Sequence, residues 1–321
     1  MALPRASPVP RYHPILPVST GDHHASSCPR DTSANRCRSV YQTAGTARTF
    51  HPGTYVLTRL LRSSDALQKE MSTVPALPIP ALTPDQMSRI DRIMVDDFGV
   101  TVLQLMEVAG QAVAAWARER FLGGDARGKT VLVLAGSGGN GGDGMVAARF
   151  LHSWGGRPAV WLSHEAATLR GAAAHQFRSL RTLGLPIQLP SDPGQEGPGA
   201  LPDADLIVDA LLGFGLSGPP SGPAARLITA ANAHSAPVLA VDLPSGLDAR
   251  TGHPYDPCIR ADATLTLALP KTGLLAPAAR PVTGELAVAD IGVPAEVYAR
   301  LGVHVEPLFG ERSIVRVMGD G

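Results

Sequence analysis

The sequence predicts an α/β fold with a mostly parallel sheet covered by helices on both faces. Three observations carry that prediction. Short apolar runs alternate with helix-period segments from about residue 130 to 290. The strand-like runs (VLVLA, DLIVDALL, APVLAVDLP) are apolar throughout rather than alternating, as strands buried on both faces require. The run from Val131 to Leu151 reads as buried strand, then a loop with five glycines between Gly138 and Gly144, then helix. Such a loop has few side chains, and helix-terminal amides favour an anion such as phosphate.

Taken in order, the ordered part begins at LTPDQMSRIDRIMVDDFGV. Thr83 is a good N-cap, Pro84 suits the first helical position, and Gln86 stands where a capping-box partner belongs. Met87, Ile90, Ile93 and Met94 keep helical spacing, and a second helix is expected from Val102 to Phe121. GGDARG turns the chain into strand VLVLA. Helices are then expected at 142–154, 166–183 and 224–233, with strands at 158–162 and near 186–189 and in DLIVDALL, APVLAVDLP, ADATLTLAL and GELAVADIG. SDPGQEGPGALPD reads as a loop.

Residues 1–75 lack a sustained period and are rich in Ser, Thr, Pro, Arg and His. They read as a disordered tail, an organelle transit segment, or text upstream of a true start at Met71. Residues 76–310 form the expected domain and 311–321 a C-terminal tail. The spacing of His23, His24, Cys28 and Cys37 matches no standard zinc pattern. Three cysteines, without a CxxC pair, give no disulfide framework and point to a reducing cytoplasm, or to an organelle if the leading segment is a transit peptide. The 28 basic and 28 acidic residues cancel, so no global field attracts nucleic acid or an anionic membrane. No apolar run approaches the roughly 20 residues that span a bilayer.

In open α/β sheets ligands bind beyond the carboxyl ends of the strands. Three such exits carry unusual residues: GSGGNGGDG after the first strand, Asp209 before LLGFGLSG, and Asp242 before LPSGLD. Gly136, Gly138 and Gly141 satisfy GxGxxG, and Glu165 lies where a ribose-binding acid stands in dinucleotide sites. That pattern alone also fits a nicotinamide-dependent oxidoreductase, or a tight turn that needs glycines only for packing. One copy of the calcium nonapeptide starts at Gly138, but that motif works only in tandem arrays. Ser245 lies in LPSG without a GxSxG elbow, so a nucleophilic serine is not expected. Lys271, one of three lysines beside 25 arginines, follows another apolar strand in ALPKTG. No histidine falls in these loops.

GSGGNGGDGMVAARFL, IVDALLGFGLSG, AVDLPSGLD and ALPKTG, in that order, resemble the NAD(P)H-hydrate epimerase family (the YjeF N-terminal domain type, in its stand-alone form). LTPDQMSRID and LMEVAG resemble its N-terminal helices, and the likeness covers about residues 80–300. The resemblance implies a Rossmann-like three-layer α/β/α fold with two leading helices, a homodimer, and interconversion of R and S forms of hydrated NADH or NADPH (NADHX, NADPHX). The dinucleotide is then substrate, not cofactor, and its partner in repair is a separate dehydratase, since few residues follow position 300. Carried over by position, Gly139, Asn140, Gly141, Gly142 and Asp143 bind the substrate, as do Gly213, Phe214, Gly215, Leu216, Ser217, Gly218, Pro219 and Asp242. Asn140, Asp209 and Ser245 match potassium ligands, one ion per subunit.

Two departures stand out. Gly139 replaces an Asn of the family's GNNGGDG, which bears on affinity, and Val108 replaces the Asn of LMENAG. Epimerisation needs an acid that protonates the leaving hydroxyl and deprotonates the returning water. Asp242 is the first candidate by its strand-end position, Asp143 the second, with Lys271 holding the acid's geometry. A non-catalytic scaffold on the same fold, as in RNA-decapping assemblies, is a third reading; the missing basic stripe and aromatic platform argue against RNA.

Overall fold

The protein is described by a computed structural model covering residues 79–190, 201–305, 308–309 and 312–317. The expectations for residues 1–75, including the histidines and cysteines near position 30, lie outside the described residues. Helices α1 (Pro84–Asp96) and α2 (Val102–Arg120) lead into β1 (Thr130–Ala135). Then follow α3 (Gly139–Ser153), β2 (Arg157–Leu162), α4 (Gly171–Thr182), β3 (Ile187–Gln188), β4 (Leu206–Ala210), α5 (Gly222–Asn232), β5 (Val238–Val241) and β6 (Ala263–Leu267). The chain ends in a short α6 (Arg280–Thr283), β7 (Glu285–Ala289), α7 (Ala295–Ala299) and β8 (Ile314–Arg316).

One sheet holds all eight strands in the order β3-β2-β1-β4-β5-β6-β7-β8. Every pairing is parallel except β7 with β8, so the mostly parallel sheet expected from the sequence is present. Alternate residues of the strands face different cores. Val131, Val133, Val208 and Val241 pack with residues of α1 to α4, whereas Leu132, Leu134, Ile207 and Ala240 pack with Leu227 and Ile228 of α5. The result is three layers, α/β/α. Strand order reverses between β1 and β4, the switch point beside which open α/β sheets bind ligands.

The expected capping box is present: the Gln86 amide donates to Thr83 Oγ1 at 3.2 Å and the Thr83 amide to Gln86 Oε1 at 2.9 Å. Thr101 and Gln104 cap α2 by the same device. Three boundaries differ from the sequence expectation. The helix expected over 142–154 starts at Gly139, so most of the glycine loop is the first turn of α3. The helix expected over 166–183 is a single 3₁₀ turn at Ala166–Thr168 and then α4, separated where Gly171 takes φ 53°. The expected C-terminal tail contains β8, which hydrogen-bonds along the outer edge of β7. Among the described residues no helix is long and apolar enough to cross a membrane.

Candidate active site

The glycines after β1 do two jobs. A Cβ on Gly136 would lie 1.9 Å from the Leu211 carbonyl oxygen, and one on Gly141 would lie 2.0 Å from that of Gly136. These glycines let the β1 and β4 exits cross in contact, so the packing explanation holds for them. Gly138 and Gly139 differ: both are exposed, and a Cβ there meets nothing within 4 Å. They stand at the start of a 15-residue helix, whose first amides have no intrahelical partner, the arrangement that receives phosphate. Glu165 lies just past β2 on the same sheet edge and is exposed.

Beyond β4 and β5, Asp209 and Ser245 are fully buried and joined. Ser245 Oγ donates to Asp209 Oδ1 at 2.6 Å, the Ser245 amide donates to Oδ2 at 2.8 Å, and the Leu211 amide donates to Oδ1 at 3.2 Å. The Leu212 amide donates to Ser245 Oγ at 2.8 Å, which ties the two strand exits together. Burial pushes the Asp209 carboxyl up to about 6, against the lowering effect of the bonds from Ser245 and Leu211. Asn140, on the first turn of α3, borders Gly213: a Cβ built on that glycine would lie 3.3 Å from the Asn140 Cβ. Both polar atoms of the Asn140 amide are buried without a hydrogen-bond partner. An orphaned buried amide costs roughly 1–3 kcal/mol and calls for a ligand.

The third exit holds a buried ion pair. Lys271 Nζ donates to Asp242 Oδ1 and, at 2.9 Å, to the Leu267 carbonyl. The Leu267 amide and Thr266 Oγ1 each donate to the same Asp242 oxygen at 3.2 Å. Lys271 is 1% exposed and Asp242 4%, and Lys271 is the only buried cation among the described residues. Asp242 and Ala268, at the ends of neighbouring strands, are the two described non-glycine residues with positive φ, each at 66°. Left-handed backbone outside glycine is uncommon and clusters at functional sites. Here it turns the Asp242 carboxylate back across the end of β6 onto Lys271. The segment before α1 completes the frame, since the Leu82 amide donates to the Pro270 carbonyl at 2.8 Å and the Thr272 amide to the Leu82 carbonyl at 2.9 Å.

Two more carboxyls share this charge. Asp143, half-buried on α3, is held well above the usual carboxylate range first by loss of solvent, then by the charges of Asp242 and Asp91, with Lys271 opposing. Asp91, half-buried on α1, is pushed up to about 6 by burial, with Lys271 lowering and Asp242 raising it. Sequence reasoning missed Asp91, and the signal was available. It stands four residues after Met87 and three before Met94, in line with the buried stripe of α1. Thr266 was missed too, and nothing distinguished it within ATLTL.

The remaining candidates line the entrance. Among 213–219, Gly215, Ser217 and Pro219 are exposed, while Gly213, Phe214, Leu216 and Gly218 are half-buried. The Phe214 ring centre lies 5.9 Å from Lys271 Nζ, so this loop reaches the ion pair. Gly142 is buried, and a Cβ there would collide with the Met106 side chain, which makes it a packing position. The three expected exits thus meet at one sheet edge, joined by the further strand end that carries Lys271 and by the segment before α1.

With this geometry in view, comparison with known proteins gives one answer. The family described as YjeF-related protein N-terminus matches residues 102–273. The chain belongs to this family. It is 38% identical over 234 residues to the NAD(P)H-hydrate epimerase of Dehalogenimonas lykanthroporepellens, covering 73% of this chain and 91% of that protein. It is 36% identical over 229 residues to the NAD(P)H-hydrate epimerase of Rhodopirellula baltica, covering 71% and 91%. The bifunctional NAD(P)H-hydrate repair enzyme Nnr of Moorella thermoacetica is 38% identical over 220 residues, which span 68% of this chain and 41% of that longer protein. Among solved structures, yeast ynu0 (YNL200c) superposes with a TM-score of 0.62 at 26% identity, over 74% of this chain and all of that one. The family match begins at Val102 and therefore leaves out α1 and Asp91.

Proposed function

We propose that this chain is an NAD(P)H-hydrate epimerase, an isomerase that interconverts the R and S forms of NADHX and NADPHX. The observation that carries the reading is the buried Lys271–Asp242 pair at the same sheet edge as the exposed Gly138–Gly139 start of α3. Dinucleotide phosphates fit the amides at the start of α3, while the damaged ring needs proton chemistry. The relatives named for that activity support it.

In the proposed reaction the ring nitrogen's lone pair expels the hydroxyl of the hydrated carbon. A carboxylic acid gives that hydroxyl its proton, so it leaves as water and the ring becomes an iminium cation. Water then adds to the opposite face and returns a proton to the carboxylate, which restores both enzyme and substrate composition. In this reading the two carboxyls exchange the order expected from strand-end position. Asp242 is the ion-pair partner of Lys271 and accepts two further bonds at one oxygen, the role of a fixed anion that stabilises the cationic ring. Asp143, its carboxyl raised well above the usual carboxylate range by burial and by neighbouring anions, is the better acid. Lys271 orients Asp242 rather than transferring protons.

The cofactor of this reading is a potassium ion held by Asn140, Asp209 and Ser245. The orphaned Asn140 amide beside the β4 exit and the buried Asp209–Ser245 pair fit such an ion. One carboxylate with two neutral oxygen donors suits a hard cation of low charge. When bound, the ion supplies positive charge that offsets the buried carboxylate and favours nearby phosphate. A separate dehydratase as the next enzyme, and a homodimer, belong to the same proposal; the joined form in Moorella supports the pairing of activities.

The test starts from one purified epimer of NADHX and follows loss of chirality by chromatography, with and without potassium. Acceleration over the spontaneous rate is expected. A rate equal to the uncatalysed one, from folded protein with potassium present, refutes the reading and favours a scaffold.

A further inference from the structure

We propose that Thr266 is a positioning residue for the epimerisation. Its hydroxyl bridges Lys271 and Asp242, holds both in one arrangement, and so leaves a single Asp242 oxygen, Oδ2, to face the substrate ring. The inference rests on the epimerase reading and deepens it, because it names what fixes the anion that stabilises the ring cation.

Strand register supplies the first argument. Val241 of β5 pairs with Leu265 of β6, and the Asp242 amide donates to the Leu265 carbonyl at 2.9 Å. Asp242 and Thr266 are therefore the next residues along two neighbouring strands. There the positive φ of Asp242 takes it out of the ladder, and its carboxylate meets the Thr266 side chain. Thr266 Oγ1 donates to Asp242 Oδ1 at 3.2 Å and accepts from Lys271 Nζ at 3.4 Å. Among the described residues it is the one side chain hydrogen-bonded to both members of the pair. Thr264, two residues earlier on the same strand face, gives the contrast: its hydroxyl donates to the Thr283 carbonyl at 2.7 Å and serves the backbone alone. Valine suits a buried strand as well as threonine does, so packing does not call for a hydroxyl at position 266. A buried hydroxyl needs partners, and those of Thr266 are the two ions.

The count of donors and acceptors supplies the second argument. An ammonium carries three donors and no acceptor. Those of Lys271 meet Asp242 Oδ1, the Leu267 carbonyl and Thr266 Oγ1, so the buried cation is satisfied within the protein. Asp242 is bonded at one oxygen only. Oδ1 receives Lys271, the Leu267 amide and the Thr266 hydroxyl, whereas Oδ2 accepts from no group among the described residues. The buried polar atoms that lack a partner do not include Oδ2, so the little of Asp242 that solvent reaches includes it. Three donors converging on Oδ1 oppose the rotation that would exchange the two oxygens. Without the Thr266 hydroxyl, one lysine donor loses its acceptor and the carboxylate loses its strand-side donor. The ring is cationic only after the hydroxyl begins to leave, so a loosened carboxylate slows turnover more than it weakens substrate binding.

The experiment compares Thr266→Val, Thr266→Ser and Thr264→Val with wild type, all as the full chain with potassium. It measures kcat and KM for one NADHX epimer, and the nitrogen-15 spectrum of lysine-labelled protein, in which Lys271 is one of three lysines. Both valine variants lose a buried hydrogen bond and are expected to melt lower than wild type. Only Thr266→Val is expected to lose about 10-fold in kcat, with KM within about threefold, and to alter the slowly exchanging ammonium signal of Lys271. Thr266→Ser returns the hydroxyl and restores kcat to within about threefold of wild type. Wild-type kcat in Thr266→Val, an equal kcat loss in Thr264→Val, or a serine variant as slow as the valine one overturns the proposal. Should Thr266→Val fail to fold, the wild-type spectrum decides. A through-space cross-peak between the Lys271 ammonium and the Thr266 side chain is expected, and its absence overturns the bridge. No epimerisation by wild type instead refutes the epimerase reading, while the ammonium signal still reports whether Thr266 holds the pair.

Discussion

Replacement of Lys271 by methionine removes the only buried cation among the described residues while keeping most of its apolar stem. Asp242 is then left 4% exposed with no cation to oppose its charge. At contact distance of about 3 Å and an effective dielectric of about 20 the lost attraction is about 5 kcal/mol. Breaking a buried pair by removing one partner costs about 3–5 kcal/mol in practice, and we expect the variant in that range at pH 8. With an m-value of about 2–3 kcal/mol/M, the urea midpoint falls by about 1–2 M. The sign of the pH dependence follows from the unpaired anion. Protonation relieves it, so the deficit shrinks as pH falls. Urea unfolding of both proteins at pH 8 and pH 5 measures this, and Lys271→Met/Asp242→Asn should recover much of the loss. A deficit below about 1 kcal/mol at pH 8, or one equal at both pH values, refutes the claim that the pair is buried and charged.

Three further outcomes are expected. Asp143→Asn should fold and bind the dinucleotide yet lose at least about 10²-fold in kcat; near-normal turnover would remove Asp143 as the acid. Gly141→Ala, whose Cβ would sit 2.0 Å from a carbonyl oxygen, should destabilise the fold severely, whereas Gly139→Asn should leave the Tm unchanged and lower KM for NADHX. Equal melting of the two glycine variants would contradict the division of the loop into packing and binding halves. For Asp209, the folded carboxyl at about 6 lies above its ordinary value of 3.8. The folded state therefore binds more protons between those values, and stability falls as pH rises from about 4 to about 6, by up to about 3 kcal/mol. Potassium should offset that loss, raising the Tm relative to sodium at pH 8 and little at pH 4.5. No cation dependence in wild type, or the same dependence in Asp209→Asn, would remove the proposed ion site.

The strands were legible because burial on both faces leaves long apolar runs, and helix α1 because Thr83, Pro84 and Gln86 spell out a start. The exits were legible because Asp209 and Asp242 interrupt such runs where glycines follow. The break at Gly171 was not legible, since AATLRGAAAHQF carries helix-forming residues on both sides of it. Strand β8 was not legible because three residues have no period of their own, and only the free edge of β7 makes them a strand.

The sequence by itself determined the α/β class, the order of the strand exits and most of the residues gathered there, because each is a local property of periodicity and glycine placement. Tertiary structure alone decided how those residues are charged. Whether Asp143 holds a proton, whether Asp242 is the anion of Lys271, and whether Asp91 belongs to the site all depend on burial and on distances between α1, α3 and the ends of two strands. Electrostatic energies follow separation in space, and separation along the chain does not report it. For the loop GSGGNGGDG the division is the same. Its glycines announced a nucleotide cradle, but only the crossing of the β1 and β4 exits showed which of them pack and which remain open to a ligand.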